Sequence, residues 1–93
     1  MKSKDTLSPE AREALLLEWL DAVHGGEMTE GQLLRRVRKE VLDMNQSRYA
    51  DLAGVSRRTL SDIERDTGQQ TVSVLNRVYR PLGLKTGLVL RRR

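Results

Sequence analysis

The sequence predicts an all-α fold: a small helical bundle with an extra N-terminal helix and a C-terminal dimerisation strand. Three observations carry this. Apolar residues recur at helical spacing through most of the chain; Ser8, Thr29, Asn45, Ser56 and Thr71 each stand where a helix wants an N-cap; and glycines close the runs.

The elements follow in order. Ser8-Pro9-Glu10 opens a first helix, because the serine hydroxyl accepts from an orphan amide, proline suits the first turn and glutamate complements the helix dipole; Gly25-Gly26 ends it after about His24. Thr29-Glu30-Gly31-Gln32 has capping-box spacing, and Leu33, Leu34, Val37 and Val41 then line one face of a second helix over about 30 to 42. Asn45 caps a third, short helix that runs through Ala53 and stops at Gly54. Ser56 caps a fourth, to about Arg65. Thr71 caps a fifth that is expected to bury Val72, Leu75, Val78, Tyr79 and Leu82. Pro81 lacks an amide donor, so that helix should kink or end there, with Gly83 as the stop. Thr86-Gly87-Leu88-Val89-Leu90 reads as a single strand. A lone strand leaves backbone amides unsatisfied, and the cheapest second strand is that of a two-fold mate.

Composition narrows the function. The 93 residues carry 17 Lys plus Arg against 13 Asp plus Glu, and no cysteine. Thiolate zinc sites, disulfides and thiol nucleophiles are excluded. His24 is the only histidine, so no histidine dyad or cluster can be built; its place at a helix C-terminus suggests a simple dipole partner. Acidic pairs such as Glu64 and Asp66 are joined to no nucleophile or phosphate-cradling loop. A non-enzyme without cofactor or metal is expected. No run approaches the roughly 20 apolar residues of a membrane span, so the expected setting is cytoplasmic, with no membrane partner. Charge is divided unevenly. Residues 1 to 32 hold three basic and seven acidic side chains, a balance of −4, whereas the remainder holds 14 basic and six acidic, a balance of +8. A basic body points to a polyanion partner.

The segment from Gln46 to Arg65 is the most specific. Two short helices joined by Gly54-Val55-Ser56 form a helix-turn-helix, with small Ala50 where the helices cross and Val55, Leu60 and Ile63 pointing inward. On a helical wheel Arg58, Ser61, Asp62 and Arg65 fall opposite Leu60 and Ile63, an outward stripe suited to a DNA groove. The run from Asn45 to Arg65 resembles the Cro and phage-repressor class, the XRE-type helix-turn-helix family, and the resemblance extends over about residues 30 to 83.

That resemblance implies a lambda-repressor-like helix-turn-helix bundle and a sequence-specific regulator of transcription that binds double-stranded DNA as a homodimeric repressor, reading an inverted repeat in the major groove. It implies roles residue by residue. Gln46 matches a glutamine that bonds phosphate and often a neighbouring recognition side chain. Arg57, Arg58 and Asp62 match base-reading positions, with Thr59 at a phosphate or thymine-methyl position. Arginine forks onto guanine O6 and N7, which agrees. Asp62 either accepts from cytosine N4 or orients Arg58, four residues before it; orientation is favoured. Ser56, Arg65 and Gln69 fall where the family holds phosphates. The family also pairs a basic residue of the second helix with the glutamate matching Glu64. The connection to Gln46 is one residue longer here, which leaves Arg38 and Lys39 both eligible, with Arg38 preferred for its fork. The rest of Arg35-Arg36-Val37-Arg38-Lys39 reads first as a solvated face.

The ends suggest partners. The tail Leu82 to Leu90 resembles that of antitoxin-repressors of kinase-type toxins, where such a strand builds the dimer, so Leu88, Val89 and Leu90 are the expected dimer contacts. An antitoxin that binds a toxin protein and autoregulates its operon is therefore the alternative function. The first helix carries more apolar residues than one stripe needs, Leu15, Leu16, Leu17, Trp19, Leu20, Ala22 and Val23. One face can cap the body while another meets a partner, and Trp19 is expected to anchor either the core or an interface. The expected organisation is an N-terminal extension over 1–28, a helix-turn-helix domain over 29–83, and a strand with a basic tail over 84–93.

Overall fold

The computed structural model describes residues 7–87, which form five α-helices: α1 (Pro9–His24), α2 (Glu30–Arg36), α3 (Gln46–Ala53), α4 (Arg57–Glu64) and α5 (Val72–Tyr79). The expected N-caps are in place. Side chains of Ser8, Thr29, Asn45, Ser56 and Thr71 accept from the amides of Ala11, Gln32, Arg48, Thr59 and Val74 at 2.8–3.1 Å. Each such bond is worth about 1 kcal/mol to a short helix that cannot form alone. At α2 the capping box closes, because Gln32 Oε1 accepts from the Thr29 amide at 2.9 Å.

The second helix differs from a plain α-helix. After Arg36 the chain continues as a π-turn over Val37–Val41, in which the amide of Leu42 donates to Val37 O at 2.9 Å across five residues. A π-turn holds one more residue than an α-turn, so the extra residue before Gln46 is absorbed inside the helix. It brings Val37, Arg38 and Val41 all to the buried side and leaves Lys39 exposed.

Twelve buried side chains form one core, with Leu34, Tyr49, Leu60 and Val78 fully enclosed at its centre. Trp19 of α1 enters the same core, and the Arg36 guanidinium lies 4.7 Å over its ring. Leu15, Leu16, Leu20 and Val23 pack alongside, whereas Leu17 is 53% exposed. The expected face of α5 needs one correction. Val72 is 63% exposed, and Val74 packs against the core in its place, with Leu75, Val78, Tyr79 and Leu82 as expected. Val72 is the first residue of the helix, ahead of the turn that meets α3, so its periodicity has nothing to pack on. Pro81 lies in a 3-10 turn over Arg80–Leu82, and Gly83 follows with φ 77°.

The expected strand is not seen among the described residues. Residues 84–87 have no regular structure, and the Thr86 amide and hydroxyl both donate to Asn76 Oδ1, at 2.7 and 3.0 Å. At Thr86 a side chain of the same molecule thus supplies the acceptor that a second strand was expected to provide. Leu88, Val89 and Leu90 lie outside the described residues.

Candidate nucleic-acid interface

The turn between α3 and α4 is set by Gly54, whose φ of 77° is strained for any residue with a Cβ. The Gly54 amide donates to Asp51 O at 3.3 Å and the Val55 amide to Ala50 O at 3.0 Å, so the carbonyls at the end of α3 are satisfied as the chain reverses. Arg77 of α5 donates to Gly54 O at 3.4 Å and holds the turn from outside.

From Ser56 the chain enters α4 under a double constraint. Ser56 Oγ accepts the Thr59 amide at 3.0 Å and donates to Thr59 Oγ1 at 2.9 Å, so these two expected contact residues also build the start of the helix. Leu60, Ile63 and Glu64 are buried. The opposite face carries Arg58 and Arg65, both exposed, with Ser61 and Asp62 half-buried beside them, and Arg57 is exposed at the first residue of the helix. Among the described residues neither Arg57 nor Arg58 is held in an ion pair, and both guanidiniums stand at the N-terminal end of α4. Gln69 is exposed in the loop that follows.

Asp62 does not engage Arg58. Its Oδ1 accepts from Arg65 Nη2 at 3.0 Å, the (i, i+3) partner. This overturns the expected orientation of Arg58 by Asp62: both (i, i+3) and (i, i+4) spacings allow a pair on a helix, and here the carboxylate takes the C-terminal arginine. Arg58 is left free for an outside acceptor.

Behind the helix lies a charged network. Arg38 donates from Nε to Glu64 Oε2 at 2.6 Å and from Nη2 to Glu64 Oε1 at 2.9 Å, and its Nη1 donates to Met44 O at 2.8 Å. The side chains are 7% and 2% exposed. Of the two eligible residues, Arg38 is therefore the partner, and the fork explains why. Gln46 Nε2 donates to Glu64 Oε1 at 3.0 Å, which ties the first residue of α3 to the last of α4. Gln46 is half-buried, so it can face outward while its amide nitrogen is held. Two phenols brace the core nearby. Tyr49 donates to Val78 O at 2.7 Å and Tyr79 to Glu30 O at 2.9 Å; burial above all pushes both hydroxyls well above the ordinary tyrosine range, with Glu64 adding at Tyr49 and Glu30 at Tyr79, so both remain donors.

One participant had no reading of its own in the sequence. Asp66, in the loop after α4, accepts from Thr29 Oγ1 at 2.6 Å and from the Gly31 amide at 3.1 Å. The two segments are more than thirty residues apart, and the contact is tertiary. The only local trace was Gly31 inside a helix, where glycine weakens the helix unless close approach demands it. It does: a Cβ there would lie 2.3 Å from Ile63 O.

Comparison with known families agrees with this geometry. The helix-turn-helix family matches residues 34–88, more than half of the chain, and the chain belongs to that family, the XRE-type helix-turn-helix proteins. It is a DNA-binding regulator of transcription. No curated protein and no solved structure matches. Among the described residues no helix is long and apolar enough to cross a membrane.

Proposed function

We propose that the protein is a sequence-specific repressor that binds an inverted repeat as a homodimer, in the cytoplasm, and works by binding rather than catalysis. The observation that carries this is the N-terminal end of α4, where Arg57 and Arg58 are exposed and, among the described residues, in no ion pair, on a helix fixed in place by the burial of Leu60, Ile63 and Glu64. A guanidinium on a rigid helix reads guanine, whereas Ser56, Thr59, Arg65, Gln69 and the outward side of Gln46 suit phosphates. Asp62 contributes through Arg65. One recognition helix covers only a few base pairs, which argues for two copies, about 34 Å apart on one face of the duplex.

Leu88 to Leu90 are the proposed dimer contacts. Val89→Pro is expected to shift the protein toward monomer in sedimentation, keep its helical circular dichroism, and weaken binding to a paired site far more than to a half-site. A variant that stays a tight dimer would refute that assignment. A second reading, an antitoxin whose first helix meets a toxin, is favoured by Leu17, an exposed leucine on a helix carrying Glu10, Glu13, Glu18 and Asp21. Co-purification with the product of a neighbouring reading frame, lost on Leu17→Glu, would support it.

A further inference from the structure

Four helix ends share one hydrogen-bond pattern, in which the residue in the left-handed conformation and its successor donate back to carbonyls of the last turn. Three place glycine in the left-handed slot, Gly26, Gly54 and Gly83, with φ of 77–81°. The fourth, at the end of α4, places Asp66 there with φ 58°; its amide donates to Ile63 O at 3.0 Å and that of Thr67 to Asp62 O at 2.9 Å. Glycine is the unstrained occupant of this slot, and aspartate is tolerated there at a cost. A strained residue that persists at a functional element invites a search for what its side chain does.

Both oxygens of the Asp66 carboxylate accept a hydrogen bond from the segment that opens α2. One oxygen takes the Thr29 hydroxyl and the other the Gly31 amide, an otherwise orphan donor in the first turn of α2. The same junction is closed by Gly31, since only a residue without Cβ lets α2 approach the Ile63 and Glu64 carbonyls. Asp43, the other aspartate in the left-handed region, is exposed like Asp66 but, among the described residues, its carboxylate accepts no hydrogen bond, whereas that of Asp66 accepts two. The C-terminal end of α4 is thus fastened to the start of α2 from outside, independently of the Arg38–Glu64 pair that fastens it from within.

We propose that Asp66 is a positioning residue for DNA reading: its bonds to Thr29 and Gly31 fix the pose of α4 and so the aim of Arg57 and Arg58. This rests on the assignment of α4 as the recognition helix. Phosphate contacts tolerate a small tilt of that helix, because a flexible side chain can follow an oxygen. Forked contacts to base edges do not.

The test uses the full chain, a preferred duplex selected from a random library, and a random duplex. Asp66→Gly removes the carboxylate and relieves the backbone strain. Its ratio of specific to random affinity is expected to fall about tenfold, the scale of one forked base contact, with random-duplex affinity changed less than about twofold. Asp66→Asn keeps an acceptor for the Gly31 amide and a donor toward Thr29 Oγ1, and is expected to restore most of the ratio. Loss of specific and random affinity in equal measure, or an unchanged ratio, overturns the proposal. If Asp66→Gly does not fold, Thr29→Asp decides, because aspartate still caps α2 but cannot donate to Asp66: a lowered ratio, with Thr29→Ser leaving it intact, supports the proposal and an unchanged one overturns it. A wild type with no preferred duplex overturns the recognition-helix assignment and the proposal with it, whereas a selective wild type whose selectivity survives Asp66→Gly overturns the proposal alone.

Discussion

Glu64 accepts three hydrogen bonds, two from Arg38 and one from Gln46, beside a core built of aliphatic and aromatic side chains. A buried ion pair of this kind contributes little net stability but is costly to break from one side. Glu64→Ala leaves the Arg38 guanidinium enclosed and only its Met44 O contact in place, and is expected to lose about 3–5 kcal/mol in denaturant unfolding. The double variant Arg38→Met, Glu64→Leu should lose less than Glu64→Ala alone, since it strands no charge. A single-variant loss no larger than that of the double would show that the pair is held for some other reason. At this scale the sequence was a good guide to chemistry and a poor one to partners. Arg38 was preferred over Lys39 by its fork, yet both stayed eligible because the extra residue before Gln46 does not say whether a loop or a π-turn takes it up. Asp62 is the opposite case: two arginines lay within reach on its own helix, and no local rule ranked them.

The helices themselves were legible from their caps. Serine, threonine and asparagine side chains bond backbone three residues on, so they act within the sequence window in which they are read. Val72 misled because it keeps the helical period but lies before the turn that meets another element, and periodicity says nothing about where packing begins. At Thr86, where the expected strand begins, the acceptor for the amide is a side chain, Asn76, ten residues earlier, which no strand pattern marks. The junction of α2 with the end of α4 is the sharpest test at this scale. Alanine is the better helix former by about 1 kcal/mol, so an isolated α2 should gain from Gly31→Ala. In the protein the new methyl would meet the Ile63 and Glu64 carbonyls at 2.3 and 2.8 Å, and backbone yields only by moving α4. A net loss of about 1–3 kcal/mol is expected in chemical denaturation. An unchanged or raised midpoint would mean that the two elements are not held at this distance.

Across the whole molecule, the acidic N-terminal segment and the basic body meet in one core, because Trp19 packs among residues of the later helices. Trp19→Ala is therefore expected to destabilise the protein by about 3–5 kcal/mol, and a chain starting at Thr29 should lose comparable stability. A loss below about 1 kcal/mol in both would show that α1 is a detachable appendage. The sequence marked α1 as over-endowed with leucine but could not divide its faces, since that division depends on where α2 lies.

The central claim, that α4 reads DNA through Arg58 while Arg65 only holds it, is tested most directly by titrating wild type, Arg58→Ala and Arg65→Ala against preferred and random duplexes at several salt concentrations. Arg58→Ala should lose about 1–3 kcal/mol of discrimination between the two duplexes while binding the random one nearly as before. Arg65→Ala should weaken both about equally and make the salt dependence shallower by roughly one counterion, with preference intact. Equal loss of preference in the two variants would contradict the account.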